Sequence, residues 1–296
     1  MEKAKTKELD KYYTKTICAK HIAQVVFDIF KGIHCFIEPS AGAGNIGNYI
    51  IECGKNRGDF IVKQYDIEPE GKNIIKADYL NLQLKLEGIE RRQIIIIGNP
   101  PFGYKGALAV KFLNKALTES RAVAFIMPIT ALKYSLQQHI NRDACLIYNE
   151  VLPDNSFELP NGSDYKCKAV FQIWTLQDAS VNLRKQKPLL KHNDFELYRH
   201  NATDGTRKYL DYDWDFAVYS QGRKDYEKIF DRRDYDFLKE KINATSDQFY
   251  FVKTKDNSVL SRLLKIDYKV LAYKEHITPG FCKNDIFEKY AQLYEN

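Results

Sequence analysis

The chain has 296 residues, of which 44% are hydrophobic and 28% charged, and 45 Lys and Arg against 39 Asp and Glu give it a net charge of +6. That length holds one large domain with a small one, or two of ordinary size, and that balance excludes disordered, collagen-like and coiled-coil chains. No run approaches the roughly eighteen apolar residues of a membrane span and no signal-like core follows the basic N-terminus, so a cytoplasmic protein without a membrane partner is expected.

Cys18, Cys35, Cys53, Cys145, Cys167 and Cys282 are scattered, with no C-x-x-C pair; His21 and His34 near Cys18 and Cys35 complete no four-ligand spacing. This argues against zinc and against a disulfide framework, and no metal is expected. The positive charge mildly favours a polyanionic partner. Twenty tyrosines among Lys and Arg suit a surface that stacks on bases, although a tyrosine-rich core produces the same composition.

In chain order, "HCFIEPS" (34–40) reads as a strand that ends at Pro39. The turn "SAGAGN" and the helix candidate "NIGNYIIEC" follow it. Glycines at 42 and 44 permit positive φ and a close approach of ligand to backbone, and the spacing to Gly47 matches G-x-G-x-x-G, as in dinucleotide folds. Glu38 before the turn would repel a pyrophosphate and suit a cationic ligand instead. "DFIVKQYDIEP" (59–69) is a second strand, and Asp66 at its end could take ribose hydroxyls. "KADYLN" offers Asp78 as acceptor for an adenine amino group, with Tyr79 against the ring.

"QIIIIGNPP" (93–101) is a third strand. Its unbroken isoleucines predict a central strand covered on both faces. The turn "NPPF" that follows has a specific chemistry. Two prolines fix φ and remove two amide donors, Asn99 adds a side-chain carbonyl, and Phe102 adds a flat apolar face. Such a turn can accept both hydrogens of a planar NH2 group while a ring stacks on it.

"GALAVKFLNKALTES" (106–120) is a helix candidate with Leu108, Phe112, Leu113 and Leu117 on one side. "RAVAFIMP" (121–128) is a fourth strand, and "ITALKYSLQQHIN" (129–141) is predicted as a further helix. Strand and helix in alternation predict an α/β fold, a mostly parallel sheet with helices on both faces. From about residue 180 this rhythm is lost. "DASVNLRKQKPLLKHND" reads as a linker or an excursion between domains, and the remainder is dense in Asp, Lys, Arg and Tyr.

Together the motifs resemble the amino-methyltransferases of the S-adenosylmethionine-dependent class I (Rossmann-like) fold, and most of all the gamma group of DNA adenine-N6 methyltransferases. "DKYYTK" (10–15) is similar to the group's N-terminal motif, which implies Tyr13 and Thr14 near the cofactor's methionine end. "FIEPSAGAGN" resembles the cofactor turn, which implies cofactor contacts from Glu38, Pro39, Ser40, Ala41, Gly42 and Gly44. "YDIEP" resembles the ribose-binding strand end, with Asp66 and Ile67, and "ADYLN" the adenine segment, with Asp78 and Tyr79. "GNPPFG" matches the catalytic turn, which implies Asn99 and the Pro100 carbonyl as acceptors, Asn99 also bordering the cofactor, and Phe102 as the stacking ring. In "NEVLPDNSFELPNGSDYKCKAVFQIW" the family carries a second ring for the target base, for which Phe157 is the candidate and Tyr165 the rival.

The resemblance covers roughly residues 8–178. It implies a catalytic domain over 1–180 that uses S-adenosyl-L-methionine to methylate N6 of an adenine flipped out of double-stranded DNA. Residues 181–296 would be a smaller target-recognition or nucleic-acid-binding domain, and a restriction endonuclease is a conceivable partner. RNA adenine and protein glutamine methylation use the same turn and remain alternatives. An inactive nucleic-acid-binding module would require a broken motif, and none is broken.

Overall fold

The computed structural model describes residues 12–54, 60–187, 191–222, 225–274 and 279–294. The first two residues of the "DKYYTK" motif and Asp59 of the second predicted strand lie outside them. The chain divides into two compact units, Met1–Lys185 and Gln186–Asn296.

The first unit contains β1 (Tyr13–Thr14), α1 (Thr16–Ile29), β2 (Cys35–Glu38), α2 (Asn45–Gly54), β3 (Ile61–Asp66), β4 (Ile75–Lys76), β5 (Ile94–Gly98), α3 (Ala107–Glu119), β6 (Ala122–Pro128), α4 (Tyr134–Gln137), β7 (Cys145–Val151), β8 (Phe157–Glu158), β9 (Asp164–Tyr165) and β10 (Ala169–Thr175). Seven strands form one sheet in the order β4-β3-β2-β5-β6-β10-β7. The first five are parallel, and β10 runs antiparallel between β6 and β7. All four predicted strands are in this sheet, with β5 at its centre.

The isoleucine run serves both faces. Ile94 and Ile96 pack with Ala109, Leu113 and Leu117 of α3, while Ile95 and Ile97 pack with Ile22 and Val26 of α1 and Ile46 and Ile50 of α2. None of the four is more than 5% exposed. Burying four such side chains contributes roughly 2 kcal/mol each, which fixes the strand from which the "NPPF" turn leaves.

The helix expected over residues 129–141 is broken. A 3-10 turn at Ile129–Leu132 and the single turn of α4 are separated by Lys133, whose backbone is extended. The physical reason lies at Ala131. Its carbonyl accepts from the side chains of Gln137 and Gln172, so it is withdrawn from the backbone ladder a continuous helix would need.

A small antiparallel sheet, β1-β8-β9, pairs Thr14 with Phe157 and Phe157 with Tyr165. It joins the N-terminal motif to the segment before β10. Beyond β10 the chain stays with the first unit through Arg184. Its guanidinium donates to the carbonyls of Gln137, Ile140, Asn141, Arg142 and Ala144 and lies over the Trp174 ring.

The second unit contains β11 (Phe195–His200), β12 (Phe216–Gln221), β13 (Ile229–Phe230), α5 (Tyr235–Ala244), β14 (Gln248–Thr254), α6 (Asn257–Leu263), α7 (Tyr268–Lys274) and α8 (Lys283–Tyr294). Its antiparallel sheet has the order β11-β14-β12-β13. Tyr219, Tyr226, Tyr250, Tyr268 and Tyr290 are buried in its core with Trp214, Phe249 and Phe251. Much of the tyrosine content of this unit is therefore interior packing.

Candidate active site

A cleft of about 350 Å3 opens where the C-terminal ends of the parallel strands meet the glycine turn and the "NPPF" turn. This is the end of an open α/β sheet at which ligands bind. Of the residues expected to hold a cofactor, Tyr13, Thr14, Glu38, Pro39, Ser40, Ala41, Gly42, Asp66, Ile67, Asp78, Tyr79 and Asn99 line it, and so does Pro100 of the expected catalytic set. Gly44, Phe102, Phe157 and Tyr165 are absent from its wall.

The glycine turn is braced from below. Glu38 is 2% exposed and accepts from the Gly47 amide at 2.9 Å and from Gln64 Nε2 at 3.0 Å. Gln64 also donates to the Gly44 carbonyl at 3.3 Å. Burial pushes the Glu38 carboxyl up to about 8; the Gln64 and Gly47 donors pull the other way, and nearby Asp66 adds to the rise. A cation entering the cleft would favour its ionised form.

Gly42 (φ +53) and Gly44 (φ +87) occupy backbone conformations that favour glycine. A β-carbon on Gly42 would lie 3.1 Å from the Tyr13 ring, and one on Gly44 2.9 Å from Gln64. Gly44 therefore serves the turn from behind the wall, as the seat of Gln64.

The amides of all three glycines of the turn are already engaged. Gly42 N–H donates to Asp66 Oδ2 at 2.7 Å, Gly44 N–H to the Ala41 carbonyl at 2.7 Å, and Gly47 N–H to Glu38. A phosphate would find none of these three free. The wall carries the carboxylates of Glu38, Asp66, Glu68, Glu70 and Asp78 and, among the described residues, no Lys, Arg or His. Five acids without a base disfavour a dinucleotide and favour a ligand bearing ammonium or sulfonium charge.

Asp66 and Asp78 are positioned by their own turns. Asp66 also accepts from the Glu68 amide at 2.8 Å, and Asp78 accepts from the Leu80 amide and from Asn81 Nδ2. Tyr79 is buried with its hydroxyl donating to Glu119 at 2.6 Å, and its ring packs on Phe112 at 5.5 Å between centroids. Burial and the Glu119 carboxylate raise its pKa.

At the "NPPF" turn, Asn99 Nδ2 donates to Thr14 Oγ1 at 3.3 Å. Its carbonyl oxygen is buried and has no hydrogen-bond partner, and the same holds for the Ser40 hydroxyl. Orphaned acceptors of this kind are rare in folded proteins and call for a ligand or a function. The adjacent Pro100 and Pro101 carry no N–H.

Phe102, Phe157 and Tyr165 gather instead around Tyr12. The Tyr12 ring is stacked on Tyr165 at 4.9 Å and meets Phe157 and Phe102 edge-on at 5.3 and 5.9 Å. Tyr12 also lines the cleft, so it separates the cofactor side from the expected ring clamp.

Sequence reasoning passed over Tyr12, Gln64, Glu70 and Asn45. Asn45 donates to the Thr14 carbonyl at 2.7 Å, and Tyr13 donates from its hydroxyl to Glu70. A glutamine two residues before the acid that ends β3 was the available signal for Gln64. Among the described residues no group of three or more His, Cys, Asp or Glu could hold a metal, and no helix is long and apolar enough to cross a membrane.

A family model for the EDM2 methyltransferase-like domain matches residues 51–194. No curated protein matches the chain. Solved structures resemble it, among them the following three. One is a protein of Pyrococcus horikoshii described as an RNA methyltransferase, 16% identical over 56% of this chain and 88% of that one, with TM-score 0.43. Another is the modification subunit of a type I restriction enzyme from Vibrio vulnificus, 14% identical over 57% and 45%, with TM-score 0.42. The third is the type I restriction-modification methyltransferase subunit of Streptococcus thermophilus, 14% identical over 57% and 46%, with TM-score 0.44. The chain spans less than half the length of the two restriction-modification subunits it resembles. The first unit thus has an α/β fold with a mostly parallel seven-stranded sheet and an acid-lined cleft at the C-terminal strand ends, and most of it lies within the methyltransferase-like match.

Proposed function

We propose that the chain transfers a methyl group from S-adenosylmethionine to the N6 amino group of adenine in DNA. The observation that carries this reading is the buried, partnerless carbonyl oxygen of Asn99 beside two prolines in the wall of the cofactor cleft. It offers an acceptor where an NH2 group would be the complementary ligand, and the turn offers no competing donor.

The proposed cofactor site follows from the wall. Asp66 would take the ribose hydroxyls and Asp78 the adenine amino group, while Glu38, Ser40 and Thr14 would face the methionine end. When bound, the cofactor supplies an electrophilic methyl group. Asn99 Oδ1 and the Pro100 carbonyl would accept the two N6 hydrogens, turning the nitrogen lone pair out of conjugation and toward that methyl; as the N–C bond replaces the S–C bond, the thioether would be released and the cationic N6 would give up one of those hydrogens as a proton to water. Catalysis then rests on position and electrostatics, without an ionised base.

An adenine amino group inside a duplex cannot reach this cleft, so the base is flipped out. Phe102 and Phe157, with Tyr165, would clamp it once the Tyr12 ring moves aside. The second unit would bind the backbone and read sequence, with exposed cations such as Arg207, Lys208, Lys228 and Arg233 meeting phosphates. A restriction endonuclease is a conceivable partner.

The test is incorporation of labelled methyl groups into unmethylated DNA, with N6-methyladenine recovered from the digest. Label found only in RNA, or only in glutamine of protein, would replace the substrate and leave the site as described.

A further inference from the structure

Directly after the catalytic turn the chain forms the loop Gly103-Tyr104-Lys105-Gly106, and its geometry is unusual. Three of its four residues have positive φ, namely Gly103 (+66), Lys105 (+52) and Gly106 (+79). A β-carbon disfavours this conformation at Lys105. Strain held at one point in a fold is a pointer to function when something else pins it there.

The loop is pinned at both ends. The Phe102 carbonyl accepts from the amides of Leu108 and Ala109 at 3.2 and 3.3 Å, and Gly106 N–H donates to the Gly103 carbonyl at 3.3 Å. A β-carbon on Gly103 would lie 2.6 Å from Leu108 Cβ, and one on Gly106 2.5 Å from Leu136 Cδ1. The base of the loop is thus packed against α3 and α4, and its tip points away from the core. Tyr104 is 81% exposed, the most exposed large hydrophobic side chain among the described residues. The Lys105 ammonium lies 5.1 Å from the centre of its ring.

Position completes the argument. Pro101 lines the cleft, and three residues of chain reach no farther than about 11 Å. An exposed aromatic ring and a cation, carried on a loop whose base is pinned, are therefore within about 11 Å of chain from the wall of the site that would receive the base. Pre-organisation of this kind lowers the entropic cost of contact.

We infer that Tyr104 and Lys105 form a contact surface for duplex DNA, with Tyr104 stacking in the step vacated by the flipped base and Lys105 pairing with a neighbouring phosphate. This rests on the DNA-methylation reading above. A ring at the vacated step replaces the lost stacking, and every base offers it a face, so the contact is tolerant of sequence.

The experiment compares the full chain with Tyr104→Ala, Tyr104→Phe and Lys105→Ala, using labelled S-adenosylmethionine and unmethylated plasmid DNA. Calorimetric titration with S-adenosylhomocysteine reports whether each variant keeps its fold and cofactor cleft. Tyr104→Ala is expected to raise KM for the plasmid about tenfold, as loss of one stacked ring implies, with kcat and cofactor affinity within twofold of the parent. Tyr104→Phe should restore the parent KM, and Lys105→Ala should make KM less sensitive to salt. An active parent whose KM is unmoved by Tyr104→Ala overturns this inference alone. A parent that labels no DNA overturns the methylation reading and this inference with it.

Discussion

Asn99 donates its side-chain amide to the Thr14 hydroxyl at 3.3 Å, and that single bond decides which end of the amide is left for a substrate. With the nitrogen committed, the oxygen is the atom that remains buried without a partner. An Asn99→Ala protein is expected to lose on the order of a hundredfold to a thousandfold in turnover, the size of a missing pre-organised group at a reacting centre, while still binding S-adenosylhomocysteine. Thr14→Val removes the anchor together with a hydroxyl of the cleft wall but leaves the Asn99 carbonyl in place, so a smaller loss, about tenfold, is expected. Single-turnover methyl transfer measures both, and an Asn99→Ala protein as fast as its parent would remove the proposed mechanism.

Glu38 gives a prediction in pH. Its carboxyl titrates near 4.5 when exposed and is held up at about 8 in the folded chain, chiefly by burial. Across that window the folded chain keeps a proton that the unfolded chain has released, so stability falls as pH rises, at a limiting slope of roughly 1.4 kcal/mol per pH unit. The contribution is intact below 4.5 and lost above about 8. Thermal unfolding of the cofactor-free protein should show this decline, and Glu38→Gln, which cannot titrate, should flatten it. Parallel curves for parent and variant would show that Glu38 is not the group responsible.

The sheet was legible because its code is local. Ile94–Ile97 could only be a strand covered on both faces, and the Gly-rich and Pro-rich turns mark the strand ends where ligands gather. What the sequence hid was pairing at a distance. Nothing in "YYT" says that β1 lies beside Phe157, or that Tyr12 stands where three other rings converge. Likewise the helical spacing of "ITALKYSLQQHIN" carried no sign that Gln172, from a strand far along the chain, would take the Ala131 carbonyl. Nor does the sequence position of Glu38 tell that its bonds to Gly47 and Gln64 make it a brace of the turn as well as part of the cleft wall.

That brace predicts the behaviour of Gly47. A β-carbon there would sit 2.5 Å from Gln64 Cδ and Nε2, and Gln64 cannot retreat without dropping its bonds to Glu38 and the Gly44 carbonyl. Gly47→Ala is expected to cost about 1–3 kcal/mol, as overpacking does, and to weaken S-adenosylhomocysteine binding about tenfold. Gly205→Ala, where nothing lies within 4 Å, serves as the control and should change neither. Denaturant midpoints and calorimetric titration report the two effects separately. Tight binding by Gly47→Ala would mean that the turn does not depend on this brace.

Tyr12 allows the ring clamp to be tested without touching a member of it. Its ring fills the space among Phe102, Phe157 and Tyr165, so truncation should cost folding stability, roughly 1–3 kcal/mol for a partly buried aromatic. If the same space receives a flipped adenine, Tyr12 must leave it for each turnover. Tyr12→Ala should then bind DNA no worse than the parent and show more unstacking of a fluorescent adenine analogue at the target position, despite its lower melting temperature. A variant that loses stability and base unstacking together would show that Tyr12 is part of the wall and that the base goes elsewhere.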